Sequence, residues 1–224
     1  MYIIGNGLIS KSFKNYNLGN VTIFASGVAN STENKDSEYE KEIQLLNNCL
    51  KEYKTKIIYF STVSVFSNTH TKYIKHKLKI EELIKEISKD YLILRLPNVV
   101  GKSTNKNQLI PFLYEKIKNG EDLVIGENTI RDLIDVDDLP KICKILINKN
   151  ITGIMNVSFS NYIKVEDIIK ILNKLHSNDN SNIIVKNNFN NYDYENSEFL
   201  KLIGNNMDKF STNPKEIIYK YFKE

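Results

Sequence analysis

The chain has 224 residues, 41% of them hydrophobic and 26% charged, enough length and apolar content for one buried core, alone or with a smaller appendage. Its two cysteines, Cys49 and Cys143, lie far apart within apolar helical patterns and form no CxxC pair, which argues against a disulfide scaffold and a cysteine-built zinc site. The net charge of +4 comes from lysines and acids interleaved along the chain, as between Lys72 and Glu86, and this reads as solvated faces rather than a stripe for nucleic acid.

Met1 runs directly into Tyr2-Ile3-Ile4-Gly5, without the basic and then apolar pattern of a leader, and no apolar run approaches roughly 18 residues. The expectation is a cytoplasmic chain that neither crosses a membrane nor is secreted. Tyr2 to Ile4 reads as a short buried strand, Leu8 to Phe13 opens a helix, and Val21 to Ala25 is a second apolar strand. Glu38 to Tyr53 carries Ile43, Leu45, Leu46 and Leu50 at helical spacing. Lys56 to Phe60 is a β-branched and aromatic strand, Tyr73 to Ile87 an amphipathic helix, Tyr91 to Leu94 a strand and Ile110 to Ile117 a helix. Strands alternating with helices of these lengths predict βαβ units and a parallel sheet. Beyond residue 102 the pattern loosens. Short strands are expected at Leu123 to Ile125 and Ile154 to Val157, and helices at Leu139 to Ile147 and Val165 to Leu175. Ser177 to Asn196 is polar and loop-rich around a brief Ile183-Ile184-Val185 strand, either flexible or a surface hairpin.

Two constellations carry chemistry. Gly5-Asn6-Gly7-Leu8-Ile9-Ser10 follows a strand and opens a helix, where glycines permit a tight turn and a close backbone approach to a pyrophosphate. No acidic residue closes Val21 to Gly27, so the usual partner of a ribose 2′-hydroxyl about 20 residues on is missing. The second constellation is Ser61-Thr62-Val63-Ser64 at a strand end, followed by Tyr73 and Lys77 one helical turn apart. An ammonium beside a phenol favours phenolate, so Tyr73 can exchange a proton with a substrate oxygen that Thr62 hydrogen-bonds. Of 31 basic residues only Arg95 and Arg131 are arginine, the side chain suited to bidentate anion contacts.

The strand-end Ser61-Thr62, the Tyr73/Lys77 pair, Arg95-Leu-Pro-Asn-Val-Val-Gly101, Arg131 to Asp138 and Met155-Asn156-Val157 occur in one order. Together they resemble the extended short-chain dehydrogenase/reductases, the NAD-dependent epimerase/dehydratase group acting on nucleotide sugars, over roughly residues 1 to 175. The resemblance implies Thr62, Tyr73 and Lys77 as the catalytic set. It implies Gly5, Asn6, Gly7, Leu8, Ile9, Ala25, Ser26, Gly27, Tyr73, Lys77, Pro97, Asn98 and Val99 around NAD or NADP, and Ser64, Asn98 and Arg131 around a nucleotide-sugar substrate. Arg95 matches a structural strand-end arginine, and Asp135, Asp137 and Asp138 match a structural segment, so no metal is expected. Val63 and Ser64 stand where sugar-nucleotide dehydratases of the group carry an Asp-Glu pair, which disfavours a 4,6-dehydratase and leaves epimerisation or ketone reduction. The implied partner state is a homodimer.

The chain departs from this family at the cofactor side. Phe24-Ala25-Ser26-Gly27 resembles the end of the family's fourth strand, and about fifteen residues between the glycine turn and Val21 leave no room for two further βα units. The expectation is a Rossmann-like parallel sheet with helices on both faces, lacking the second and third strands, plus a small C-terminal α/β substrate-binding part. Residues 1–101 form the dinucleotide-binding core, and 102–224 mostly the substrate part, with segments returning to the core. The adenosine half of the cofactor pocket is then truncated. The alternative is a non-redox descendant that binds a nucleotide sugar and has lost the dinucleotide.

Overall fold

Along the chain the secondary structure runs β1 (Tyr2–Ile4), α1 (Leu8–Ser12), β2 (Val21–Phe24), α2 (Asp36–Glu52), β3 (Lys56–Thr62), α3 (Lys72–Ile87), β4 (Tyr91–Leu96), β5 (Asn98–Val100) and α4 (Leu109–Lys118). It continues with β6 (Leu123–Gly126), β7 (Ile130–Asp135), α5 (Leu139–Asn148), β8 (Gly153–Asn156), β9 (Tyr162–Lys164), α6 (Val165–His176), β10 (Ile183–Lys186), α7 (Ser197–Ile203) and α8 (Pro214–Phe222). The computed structural model describes residues 1–103, 105–176, 183–186 and 193–223. No described helix is long and apolar enough to cross a membrane.

The central sheet has the order β1-β2-β3-β4-β8 with every pairing parallel. Successive side chains of a strand point to opposite faces, and here both faces are apolar. Ile23, Ile58, Phe60, Leu92 and Leu94 pack on one side with Phe13, Ile142, Cys143 and Leu146. Phe24, Ile57, Tyr59 and Ile93 pack on the other with Leu46, Cys49, Ile80 and Ile84 from α2 and α3. Burial on both faces explains why these strands read as continuous apolar runs.

The strand order decides between the two assignments of β2. In the usual doubly wound order 3-2-1-4-5-6 the first strand is interior. Here β1 pairs only with β2 among the described residues, and β2 separates it from β3. That is the order left when the second and third strands are absent. Were β2 the family's second strand, β1 would lie between β2 and β3.

The rest of the chain builds a second core. Val100, Ile110, Leu113, Ile117, Leu123, Leu133, Ile168, Ile169, Leu172, Ile217 and Ile218 form it, under the β5-β7-β9 sheet and the β6-β10 pair. The Ile183 strand pairs parallel with Leu123–Gly126; the remainder of the stretch expected to be flexible or a surface hairpin, 177–182 and 187–192, lies outside the described residues. The Asp-rich segment ties this part together: Asp135 accepts from Lys220 at 2.7 Å, Tyr221 at 2.5 Å and Ser211 at 3.2 Å, and Asp138 from Lys141 and the Ser211 amide, each at 2.8 Å. These acids fasten α8 and the segment before it to the end of β7.

One helix face differs from its sequence reading. The buried stripe of α2 is Tyr39, Glu42, Leu46, Cys49 and Leu50, while Leu45 is exposed. The stripe is rotated because Glu42 is held inside by charged and polar partners.

Candidate active site

The site lies at the carboxyl ends of β1 to β4, where each strand hands over to a turn. The β1–α1 turn is tight because Gly5 has φ +122° and a Cβ there would stand 2.4 Å from the Ala25 carbonyl oxygen. The backbone of this turn therefore touches the chain leaving β2, and Asn6 and Ser26 flank that crossing. Gly7 is different: a Cβ added to it meets nothing within 4 Å, since it faces an open cleft.

That cleft has a volume of about 500 Å³. Gly7, Leu8 and Ile9 line it from the first turn, and Ala25 and Gly27 from the end of β2. Thr62 and Ser64 contribute from the 3-10 turn after β3, Tyr73 and Lys77 from α3, and Pro97, Asn98 and Val99 from the segment after β4. Arg131, at the start of β7, lines it as well. Sequence positions spread over 125 residues thus meet in one space, whereas Gly5, Asn6 and Ser26 support its rim without lining it. Among the described lining residues the charged side chains are Lys77 and Arg131, both cationic, and no carboxylate lines this cleft.

Local capping orients the reactive groups. Thr71 caps α3 by accepting from the Ile74 amide at 3.2 Å, which sets Tyr73 in the first turn and Lys77 one turn further in. Thr62 caps the 3-10 turn by accepting from the Ser64 amide at 3.1 Å. Its oxygen is thereby fixed, and its hydroxyl hydrogen is left to donate.

Beneath the cleft lies a polar network that sequence reasoning missed. Glu42 is 3% exposed. It accepts from Tyr59 OH at 2.8 Å, from His76 Nε2–H at 2.8 Å and from the Val28 amide at 2.7 Å, and pairs with Lys77 Nζ at 3.3 Å. Lys77 Nζ also donates to Tyr59 OH at 2.8 Å. Burial pushes the Glu42 carboxyl up, but the Lys77 ammonium and the hydrogen bonds from His76 and Val28 outweigh it and hold it at about 2. The Tyr59 phenol is pushed up by burial and then by the adjacent Glu42 charge. The signal was present: an acid at 42 interrupts the apolar stripe 39-46-49-50 of α2, and His76, Lys77 and Glu81 do the same on α3.

Arg95 has a structural place. It grips the buried Glu81 through Nε at 3.0 Å and Nη2 at 2.6 Å, and Ser61 donates to the same carboxylate at 2.5 Å, bracing α3 against β3 and β4. Arg131 also borders a second cavity of about 440 Å³, which shares Val63, Pro97 and Asn98 with the first. Asp132 and Tyr194 stand in its wall. Asp132 accepts from Tyr194 OH at 2.5 Å and from Ser158, and burial raises its carboxyl despite both bonds.

The model of the NAD dependent epimerase/dehydratase family matches residues 7–158, which include Gly7, Thr62, Tyr73, Lys77, Arg131 and β8. The chain belongs to the NAD dependent epimerase/dehydratase family. Solved structures of similar fold include a UDP-N-acetylglucosamine 4-epimerase from Methanobrevibacter ruminantium M1 in complex with UDP-N-acetylmuramic acid, with TM-score 0.70 and 17% identity over 96% of this chain and 81% of that one. A UDP-glucuronic acid 4-epimerase from Bacillus cereus, in complex with UDP-glucuronic acid and NAD, has TM-score 0.68 and 21% identity over 96% of this chain and 78% of that one. A dTDP-glucose 4,6-dehydratase from Streptomyces venezuelae with NAD bound has TM-score 0.65 and 14% identity over 88% and 71%. At these identities the likeness to the solved structures is one of fold. No curated protein sequence matches the chain.

The residues present suit the nicotinamide and pyrophosphate parts of the family's cofactor. The wall is open at Gly7, and at Gly27 a Cβ would stand 2.6 Å from Lys77 Nζ, so a side chain there would displace the ammonium from its present place.

Proposed function

We propose that the chain is an NAD(P)-dependent epimerase or ketoreductase acting on a nucleotide-activated sugar in the cytoplasm. The observation that carries this reading is the cleft itself, which gathers Thr62, Tyr73 and Lys77 and has only cationic side chains among its charged lining residues. A diphosphate-bearing ligand suits such a wall, with Arg131 as its bidentate donor. The likeness to epimerases that bind UDP-sugars supports the same substrate class.

In this reading Tyr73 is the acid/base for the substrate hydroxyl or carbonyl oxygen, and Thr62 donates its hydroxyl hydrogen to that oxygen. Lys77, held in its buried pair with Glu42, stands beside Tyr73, and Asn98 and Ser64 border the sugar. The dinucleotide, when bound, supplies reversible hydride transfer; the Gly5–Ile9 turn, the Ala25–Gly27 segment, Tyr73, Lys77 and Pro97–Val99 are the residues to hold it. Residues 1–101 then serve the dinucleotide and 102–224 mostly the sugar nucleotide. Elimination of water from a sugar needs an acid and a base on neighbouring carbons. Val63 and Ser64 at that point of the wall offer no carboxylate, so a 4,6-dehydratase is disfavoured. Exposed Leu45 on α2 and Leu78 and Ile87 on α3 support a homodimer through these two helices.

Tyr73→Phe is expected to lower turnover of a UDP-, GDP- or dTDP-sugar by roughly 10²- to 10⁴-fold while leaving the circular dichroism spectrum and melting temperature unchanged. Unchanged turnover would overturn the assignment. The second reading, a non-redox binder of nucleotide sugars, is favoured by β1 standing at the sheet edge. Isothermal titration separates the two: sugar-nucleotide binding with no affinity for NAD or NADP supports the second.

A further inference from the structure

Lysine and glutamate are rarely fully buried unless paired, and the Glu42–Lys77 pair under the cleft has a place that the proposed chemistry leaves unexplained. Four separate segments converge on one carboxylate: α2 supplies Glu42, β3 supplies Tyr59, α3 supplies His76 and Lys77, and the loop after β2 supplies the Val28 amide. The Lys77 ammonium lies 3.3 Å from Glu42 Oε1 and 5.8 Å from the centre of the Tyr73 ring. Gly27 is shaped around the pair, since a Cβ there would stand 2.6 Å from Lys77 Nζ and 2.8 Å from Glu42 Oε1. A side chain at this end of β2 would push the two charged groups out of their present places.

We infer that Glu42 is a positioning residue for the acid/base group: it fixes the Lys77 ammonium beneath Tyr73 and offsets its charge, so that Tyr73 works beside an ion pair rather than a lone cation. A lone ammonium draws a neighbouring phenol towards phenolate. A carboxylate in contact with that ammonium opposes this field, since its charge is of the other sign. Other ionisable groups packed around the pair are themselves engaged. Tyr39 meets His76 in a tilted ring contact at 4.6 Å, Tyr59 is hydrogen-bonded into the pair itself, and the charge of Glu81, further along α3, is taken up by Arg95. The inference rests on Tyr73 being the acid/base of the proposed reaction, yet it is tested without substrate or cofactor.

Phenolate absorbance, followed as pH rises, reports all 13 tyrosines; subtracting the titration of a Tyr73→Phe counterpart isolates Tyr73. Glu42→Gln is expected to move the Tyr73 midpoint to lower pH and to raise its phenolate fraction severalfold at a fixed alkaline pH. Lys77→Met is expected to move the midpoint the other way, and joining the two changes to bring it back close to that of the unaltered protein. Glu42→Asp, which keeps the charge, should stay near the unaltered protein. A Tyr73 midpoint that Glu42→Gln does not move, in folded protein, overturns the inference. Where Glu42→Gln alone does not fold, Lys77→Met compared with the double variant carries the same test: removal of Glu42 must lower the midpoint there too, and no difference overturns it. Turnover by Tyr73→Phe answers the separate question of whether Tyr73 is catalytic, so one reading can fail while the other stands.

Discussion

Glu42 has a measurable effect on stability as well as on the site, because its ionisation is coupled to folding. Its carboxyl is held at about 2 in the folded chain against an ordinary value of 4.5. A group whose folded value is depressed stabilises the fold above its unfolded value and loses that contribution as pH falls towards the folded one. The contribution of Glu42 is therefore complete above about pH 4.5 and fades between there and pH 2. Glu42→Gln removes it and leaves Lys77 buried without its counter-charge, a loss of about 3 kcal/mol for a broken buried pair. Urea unfolding at a series of pH values should find the variant less stable at neutral pH. The gap to the unaltered protein should narrow as pH drops through that window, and parallel curves would show that the pair contributes nothing. The two arginines divide by the same logic of partners. Arg95 is committed to Glu81 inside the scaffold, while Arg131 borders both cavities. Their rarity in a lysine-rich chain marked them out together, and only their neighbours tell them apart.

Among the elements, the β1–α1 turn separates a glycine with no room for a side chain from one that faces the open cleft. Gly5 has φ +122° and no space for a Cβ against the Ala25 carbonyl. Gly7 has φ −77°, a value any residue adopts, and open space beside it. Gly5→Ala should lower the melting temperature sharply or prevent folding. Gly7→Ala should melt like the unaltered protein yet bind NAD(P) at least tenfold more weakly by isothermal titration, because its methyl group occupies cleft space. Equal affinity would remove the dinucleotide from that wall. Elements with a clean periodicity were legible in the sequence: β1 to β4 are apolar on both faces, and α5 carries a continuous apolar stripe. Three strands were not. β5 and β9 have three residues each, and β7 reads Ile-Arg-Asp-Leu-Ile-Asp, with Asp132 and Asp135 buried against partners distant in sequence. No local pattern marks an acid that is buried because a tyrosine some 60 or 80 residues later reaches it. α8 did carry a sign, Asn213 capping the Lys215 amide with Pro214 in the first turn, a helix start in the usual form. The catalytic candidates were legible through their motif order, whereas the Glu42 network was not, because it is built from contacts between α2, β3 and α3.

For the molecule as a whole, the edge position of β1 bears on what the cleft can distinguish. Selection between NAD and NADP normally rests on an acid or an arginine at the end of the second strand, placed against the adenosine ribose. The strand beside β1 here is β2, and it ends in Ala25-Ser26-Gly27 without either group. The cleft is bordered there by Val28, Ala29, Ser31 and Thr32 from the loop after β2, small uncharged side chains that place no ionic group to read a 2′-phosphate. If the adenosine half is truncated as proposed, most of the affinity comes from the nicotinamide and pyrophosphate parts. Two results follow in titration calorimetry. NAD and NADP should bind within about tenfold of one another, the discrimination left when no charged group reads the ribose. Nicotinamide mononucleotide should retain a larger share of the dinucleotide's binding free energy than in a relative with the full set of strands. A hundredfold preference for either dinucleotide would mean that a charged side chain reaches the ribose after all, and Lys72, at the start of α3 and bonded to Asp36 across the loop, is the first to substitute in locating it.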